Sequence, residues 1–488
     1  MNFPAFSSPT TAISQPPPPQ LTPPCHPQQN HESTAWWTSK ISRCCRVGRL
    51  GDAVNQFTRM RLSGVEPNHA TFLTLLSCCA HYPSQFRHFG ASVHAYARKL
   101  GLDTQNIKVG TALISMYSKF VELGFARLVF DHMTARNRVT WNTMIDGYIR
   151  NAMFEEAIEL FDEMPDRNVV SWTAMVGGFA KHSRFQEALE WFQDMLSSGV
   201  EPDYVTLIPA LSACANLGSL SLGLWLHRFS LQHKLIDNVR VNNTLIDMYC
   251  RCGYVDLALQ VFERMPERSL VSWNSIIVGL ALNGKSDEAL DHFNMMQKEG
   301  FQPDGVSYTG ALTACSHAGL VKDGLTFFKT MKEVHGIPPT IEHYGCIVDL
   351  YSRSGRLEDA LSVVKNMPVK ANKVVLGSMM AACRAHGDVK LAEELMSYMY
   401  EFDKGGDSNH VLLSNIYATF GSWSGASNVR RRMKELGIQK RPGTSSIEVS
   451  GEICEFMSGD RSHEDAEFIY AMLNLLSHEL QIFGTIPY

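Results

Sequence analysis

The sequence predicts an all-α chain built as a solenoid of helical hairpins, and three observations predict it. First, one phrase recurs: Thr140-Trp141-Asn142-Thr143-Met144-Ile145, Ser171-Trp172-Thr173-Ala174-Met175-Val176 and Ser272-Trp273-Asn274-Ser275-Ile276-Ile277. The copies lie 31 and then 101 residues apart, one short unit and then about three units together. A period in the thirties marks stacked helical repeats rather than an enzyme with one pocket. Second, 488 residues are too many for one compact core. A repeat array avoids that limit, because each unit needs only its neighbours to bury its apolar face. Third, within the units apolar residues recur at helical spacing, and Gly and Pro mark the ends.

Composition narrows the function. Hydrophobic content of 45% is ordinary for a folded protein. No stretch reaches the ~18 uninterrupted apolar residues of a membrane span, so no membrane partner is expected. Net charge is −5 and the pI near 6.4, which argues against gripping nucleic acid mainly through phosphate attraction. Reading of bases stays open. The 12 cysteines have no disulfide-scaffold spacing, and a reducing compartment follows. Cys79, Cys214, Cys315 and Cys383 recur in one register, as small thiols between helices would. Cys250 and Cys252 form C-x-C without the second pair or nearby His of a zinc site.

Residues 1–33 are of different material. They hold nine of the 21 prolines, are rich in Ser and Thr, and carry no acid before Glu32. No helix or strand core forms from such a segment. It suits an organelle transit peptide, although no Lys or Arg precedes Lys40; a disordered Pro-rich tail is the alternative. The absence of an Arg-rich amphipathic helix favours a chloroplast over a mitochondrion.

With the Trp or Tyr of the phrase as fourth residue, the units are 34–68, 69–106, 107–137, 138–168, 169–203, 204–238, 239–269, 270–304, 305–340 and 341–372. Unit 270–304 illustrates the pattern. Trp273, Ile276, Ile277 and Leu280 give a first helix to about Leu282, and Asn283-Gly284 breaks it. A second helix begins after Ser286 with Asp287 and Glu288 at its positive end. Ala289, Leu290, Phe293 and Met296 form its inner stripe, and Gly300 and Pro303 stop it. Three flavours alternate. One ends in Gly-x-x-Pro-Asp or Gly-x-x-Pro-Asn, one carries the recurring Cys, and a short one carries phrases such as Leu245-Ile246-Asp247-Met248-Tyr249.

This alternation of 35-, 35/36- and 31-residue units resembles the PLS class of plant pentatricopeptide repeat proteins. Beyond the repeats, Ala381-Ala382-Cys383-Arg384-Ala385-His386-Gly387, Val411-Leu412-Leu413-Ser414-Asn415-Ile416-Tyr417-Ala418 and Pro442-Gly443-Thr444-Ser445-Ser446-Ile447-Glu448-Val449 resemble the E and E+ extensions of that class. The resemblance implies a right-handed superhelical solenoid, a helical, repeat-like E extension over 373–441 and an E+ extension over 442–488. It implies a factor that binds single-stranded organelle mRNA and specifies C-to-U editing. The bases of unpaired RNA are exposed and can be read one per repeat.

In the resembling family the fifth and last residues of a unit select the base. Carried over, Thr38 with Asn68 implies A, and Thr111 with Asn137 implies A. Asn142 with Asn168 implies a pyrimidine, Thr173 with Asp203 G, Asn243 with Ser269 C, and Asn274 with Asp304 U. Thr309 with Thr340 leans to a purine, and Asn372 closes a unit whose fifth residue is Gly345. Leu73 and Ile208 occupy fifth positions and cannot hydrogen-bond. A final Asn would accept from the amino group of A or C, and a final Asp from the ring N–H of G or U. The implied site is 5′-A-n-A-Y-G-n-C-U-R-n-n-n-n-C, with the last C edited. Helix N-terminal polar residues are the plain alternative for these Asn and Thr side chains. Apolar second residues, Val139, Val170 and Val271, would stack on bases; Lys108 and Arg240 depart from that. Arg430, Arg431, Arg432 and Lys434, with Lys440 and Arg441, form a basic run that meets phosphate or merely solvates a helix.

Deamination needs an activated zinc-bound water with H-x-E and P-C-x-x-C ligands. His463-Glu464 lacks the intervening residue, and no cysteine follows. The expectation is a factor with no catalytic residue and no cofactor of its own. A DYW-type deaminase and other editosome proteins would be recruited in trans through the E and E+ region. The rival expectations are a factor for transcript stability or processing and a protein-docking helical scaffold.

Overall fold

The computed structural model describes residues 33–402, 407–435, 437, 443–449, 452–457 and 459–483. The proline-rich leader expected over 1–33 therefore lies, but for Ser33, outside the described residues. The chain divides into two compact units, Met1–Thr140 and Trp141–Tyr488. The described part is an all-α helical-repeat solenoid with one β-hairpin near its C-terminal end. Among the described residues no helix is long and apolar enough to cross a membrane.

In the first unit the helix pairs are Thr34–Arg46 with Leu50–Leu62, His69–His81 with Pro83–Lys99, and Ile107–Lys119 with Leu123–His132. In the second they include Val169–Lys181 with Phe185–Ser197, Leu270–Leu282 with Ser286–Lys298, and Gly305–Ala318 with Val321–Glu333. The first helix of each pair packs on its partner and on the first helix of the next pair. One ladder of first helices results in each unit, with second helices behind it.

The fourth residue explains the recurrence of Trp. Trp172 and Trp273 are buried, and each meets the Phe of the preceding second helix edge to face, Phe161 and Phe262, at 4.8 Å between centroids. Behind Trp273, Ile276, Ile277, Leu280, Ala289, Phe293 and Met296 complete a dry layer. Glycine at the tenth residue lets the first helices close up. A Cβ on Gly279 would stand 2.2 Å from Cys250 Sγ, and one on Gly178 would stand 2.2 Å from Ile149 Cγ2. Cys79, Cys214, Cys315 and Cys383 are fully buried between helices, and the described cysteines are free thiols. Burial pushes the thiols of Cys79, Cys315 and Cys383 up to about 12, so they stay protonated and inert.

One expectation is refined. The first helix of unit 270–304 begins at Leu270, not near Trp273, because Ser269 caps it. The extension over 442–488, for which the sequence reading carried no expected secondary structure, contains a β-hairpin. Strand β1 (Thr444–Val449) pairs antiparallel with β2 (Glu452–Met457), Ile447 opposite Cys454 and Val449 opposite Glu452. The alternation Ile447, Val449 and the dipeptide Ser450-Gly451 carry the signal for such a hairpin in the sequence. A last helix, Ala466–Phe483, follows.

Candidate nucleic-acid interface

Most first helices open on a side-chain cap. Asn68 Oδ1 accepts from the Thr71 N–H at 3.1 Å, Asn168 Oδ1 from Ser171 at 3.0 Å, and Asp203 Oδ1 from Thr206 at 2.9 Å. Asn137 Oδ1 does the same for Thr140, Ser269 Oγ for Ser272, Asp304 Oδ1 for Ser307 and Asn372 Oδ1 for Val375. The last residue of one unit is therefore the N-cap of the next first helix, and the plain alternative is a real role of these residues.

Capping changes what they can offer a base. The sequence reading had the final Asn accept from an amino group. Its Oδ1 is already engaged by the helix, so the amide has its NH2 left to offer as a donor. A donor suits the ring nitrogens N1 of A and N3 of C. In Asp203 and Asp304 the cap takes Oδ1 and leaves Oδ2, a second acceptor, which suits the ring N–H of G or U.

The fifth residues lie one turn into the first helices and are partly buried, Asn274 almost wholly. In four units they are tied to this cap. Thr38 Oγ1 stands 2.7 Å from Thr71 Oγ1, itself 3.2 Å from Asn68 Oδ1. Thr111 reaches Thr140 Oγ1 at 2.9 Å, which is 3.0 Å from Asn137 Oδ1. Thr173 reaches Thr206 Oγ1 at 2.5 Å, which is 2.9 Å from Asp203 Oδ1. Asn274 Nδ2 donates to Asp304 Oδ1 at 2.9 Å, and its Oδ1 lies 2.6 Å from Ser307 Oγ.

Other pairs are not tied in this way. Asn142 Oδ1 and Asn243 Oδ1 are buried with no hydrogen-bond partner. Thr309 turns back to the Gly305 carbonyl at 3.0 Å, while Thr340 N–H donates to His343 Nδ1 at 3.0 Å. Asn372 stands opposite Gly345, which has no side chain to join it. The third residues Thr71, Thr140, Ser171, Thr206, Ser272, Ser307 and His343, which sequence reasoning passed over, are all buried at this face. Except at His343, their signal in the sequence was a Ser or Thr three residues after a polar N-cap, half of a capping box.

The second residues stand outward beside these pairs. Val139, Val170 and Val271 are 61%, 59% and 58% exposed, and Val205, Val306 and Val374 share the position and are exposed too. Lys108 and Arg240 point their long side chains to solvent at that place. A groove of about 670 Å³ runs past Val271, Asn274 and Asp304 to Asp247 and Arg251. Three first helices end in a cation that is paired one turn back. Arg150 meets Asp146 at 2.6 Å, Arg251 meets Asp247 at 3.0 Å, and Arg353 meets Asp349 at 2.8 Å. Such exposed pairs lower the positive charge of the face, in keeping with the net charge of −5.

The basic run lies on the helix Trp423–Glu435. Arg430 Nε donates to Ser414 Oγ at 3.1 Å, and Arg431 donates to Asn428 and pairs with Glu435 at 4.0 Å. Arg432 and Lys434 are exposed on the same helix, and Lys440 and Arg441 lie outside the described residues. Among the described residues, no group of three or more His, Cys, Asp or Glu side chains is arranged to hold a metal ion.

The C-terminal segments differ from the repeats. Ile447, Val449, Phe456 and Met457 of the hairpin are 44–55% exposed. On the last helix Phe468, Ile469, Met472, Leu473, Leu475 and Leu476 are exposed as well.

Comparison with known proteins places these features. Models of the PPR repeat family match residues 32–81, 167–216 and 268–317, and PPR repeat models match 139–169, 237–266, 306–334 and 342–370. An E motif model matches residues 386–448. A chloroplastic pentatricopeptide repeat-containing protein of Arabidopsis thaliana is 54% identical over 462 residues, covering 94% of this chain and 92% of its own length. The chloroplastic protein ELI1 of the same plant is 40% identical, covering 92% of this chain and 71% of its own length. Another Arabidopsis thaliana relative is 41% identical, and this chain spans only 53% of its length. The crystal structure of the pentatricopeptide repeat protein PPR10 from maize superposes with a TM-score of 0.60 at 17% identity, covering 84% of this chain and 60% of that one. That likeness is one of fold.

Proposed function

The chain belongs to the pentatricopeptide repeat family, and on that premise we propose that it is a chloroplast RNA-binding factor that specifies C-to-U editing sites and recruits a deaminase in trans. The observation that carries this reading is the ladder of paired polar side chains at the openings of successive first helices. Each pair offers a small set of donors and acceptors beside an exposed apolar second residue. That is what one unpaired base needs: an edge partner and a face partner.

The charge supports base reading over simple phosphate attraction. The chain is net acidic, and cations along the face are paired with carboxylates. Affinity would then rest on many bases read in register, and phosphates would add contacts at Arg430, Arg431, Arg432 and Lys434. The E motif match over 386–448 and the chloroplastic relative at 54% identity support editing in the plastid. The exposed apolar side chains of the hairpin and last helix suit a protein partner, here the deaminase, more than RNA. Deamination itself would take place in that partner's zinc site.

The test exchanges one reader pair. Asn274→Thr with Asp304→Asn should move the preference at one nucleotide from U to A. A binding assay with oligonucleotides that differ only at that nucleotide reads it. Unchanged base preference would reject the register. Loss of editing at one plastid site in plants lacking the protein, with transcript levels normal, is the expected phenotype; altered transcript stability with normal editing would favour the rival role.

A further inference from the structure

We infer that the third residue of the following unit, at Thr71, Thr140, Thr206 and Ser307, is a specificity-determining positioning residue for the reader pair before it. The inference rests on the base-reading proposal and deepens it. The hydroxyl of this residue lies between the fifth and the last residue and joins them into one hydrogen-bonded group.

The geometry sets the proton directions. A hydroxyl has one proton to donate and two lone pairs to accept with. Thr206 Oγ1 lies 2.9 Å from Asp203 Oδ1 and 2.5 Å from Thr173 Oγ1. The carboxylate is the stronger acceptor, so the Thr206 proton goes there. Thr173 then donates to Thr206 Oγ1, or to the Val169 carbonyl at 2.7 Å. Either way its proton is held by the protein, and it meets a base as an acceptor. Thr38 stands in the same arrangement between Thr71 and the Thr34 carbonyl, at 2.7 and 2.8 Å.

For Asn274 the same residue fixes an amide plane. Ser307 Oγ lies 3.0 Å from Asp304 Oδ1, but that oxygen already accepts from the Ser307 N–H and, at 2.9 Å, from Asn274 Nδ2, so the Ser307 proton goes to Asn274 Oδ1 at 2.6 Å. With both ends held, the amide does not flip, and its outward edge is set before RNA arrives. Prior ordering of this kind lessens the entropy lost on binding.

The molecule contains its own control. In two units the third residue bonds its own cap and does not reach the fifth residue before it. Ser171 Oγ meets Asn168 Oδ1 at 3.0 Å and Ser272 Oγ meets Ser269 Oγ at 3.0 Å. The fifth residues there, Asn142 and Asn243, have an Oδ1 without a partner. Tied units should therefore discriminate bases more sharply than these two.

The experiment uses the full chain and four oligonucleotides that differ only at the nucleotide facing unit 270–304. Kd is measured for the unaltered protein, Ser307→Ala, Ser307→Thr and Ser272→Ala, with thermal melting alongside. Ser307→Ala should cut the preference for U by about fivefold, the worth of one hydrogen bond, with little change for the other three bases. Ser307→Thr keeps the hydroxyl and should restore the preference. Ser272→Ala, read with oligonucleotides that differ at the nucleotide facing unit 239–269, should leave the preference there unchanged. Thr206→Val repeats the test at the nucleotide facing unit 169–203, should Ser307→Ala fold poorly. Equal weakening for all four bases, or an unchanged preference in Ser307→Ala, would overturn the inference and leave base reading standing. No preference in the unaltered protein would overturn the base-reading proposal as well.

Discussion

The unit 270–304 and the last helix, Ala466–Phe483, handle apolar residues in opposite ways. In the repeat, Trp273, Ile276, Ile277, Leu280 and Phe293 are turned inward, and the outer face sets internally bonded polar side chains beside the exposed Val271. On the last helix Phe468, Met472, Leu475 and Leu476 remain exposed at i, i+4, i+7 and i+8. Both are helices with apolar residues at helical spacing. What separates them is a neighbour. A repeat helix has another repeat to cover its stripe, and the last helix does not find one among the described residues. An exposed apolar face of this kind is what the proposed protein partner would cover.

The widest separation between the two regions should come from removing residues from Gly443 onward. Editing of the target site in complemented plants should be abolished, while RNA Kd stays within about twofold. Changing Phe468, Met472, Leu475 and Leu476 together to Gln should reproduce the loss and tie it to this apolar face. Retained editing in either case would break the comparison.

Next in size is core truncation. Trp273→Ala should lower stability by about 3–5 kcal/mol in urea unfolding, because the indole is buried against Phe262. Smaller is the loss of a cap. Asp203→Ala should lower stability by about 1 kcal/mol and also erase the preference for G at its nucleotide.

A pH effect comes next. Burial holds His94 and His227 below the ordinary imidazole value, against the pull of Asp103 at His94 and with the help of Arg264 at His227. Each Nδ1 lies within hydrogen-bond reach of a tyrosine hydroxyl, Tyr117 at 2.7 Å and Tyr249 at 2.8 Å. The tyrosines are themselves pushed up to about 12, so they act as the donors. The unfolded chain binds protons more readily at these two sites than the folded chain. Stability should then fall as pH drops below about 6.5 and recover as it rises. His94→Gln with His227→Gln should flatten that slope in melting curves taken from pH 7 to 5. The smallest effect is expected at the last helix, where Phe468→Ala should change stability by less than about 0.5 kcal/mol.

Much of the scaffold was legible from spacing. The recurrent Trp, the Gly and Pro at unit ends and the buried Cys in register each mark a local event, and local events are written in local sequence. The candidate site was legible only in part. Thr38, Asn68, Asn274 and Asp304 stand out as polar residues on a repeating apolar pattern. Their tie through Thr71 or Ser307 did not. It joins side chains 33 residues apart, and that contact exists only once two units have stacked. The engagement of the final Asn's Oδ1 was hidden for the same reason, since the helix it caps belongs to the next unit. The hairpin Thr444–Met457 was missed because six-residue strands in a helical context leave a weak period.

By itself, then, the sequence determined the fold class, the family and which side chains are polar at each turn of the array. These follow from periodicity and residue chemistry, which need no knowledge of neighbours in space. Tertiary structure alone decided which oxygen each cap engages, which fifth residues are held and which are left unpartnered, and which apolar face stays bare. Those outcomes depend on distances of about 3 Å between atoms from different units, and such distances are set by packing.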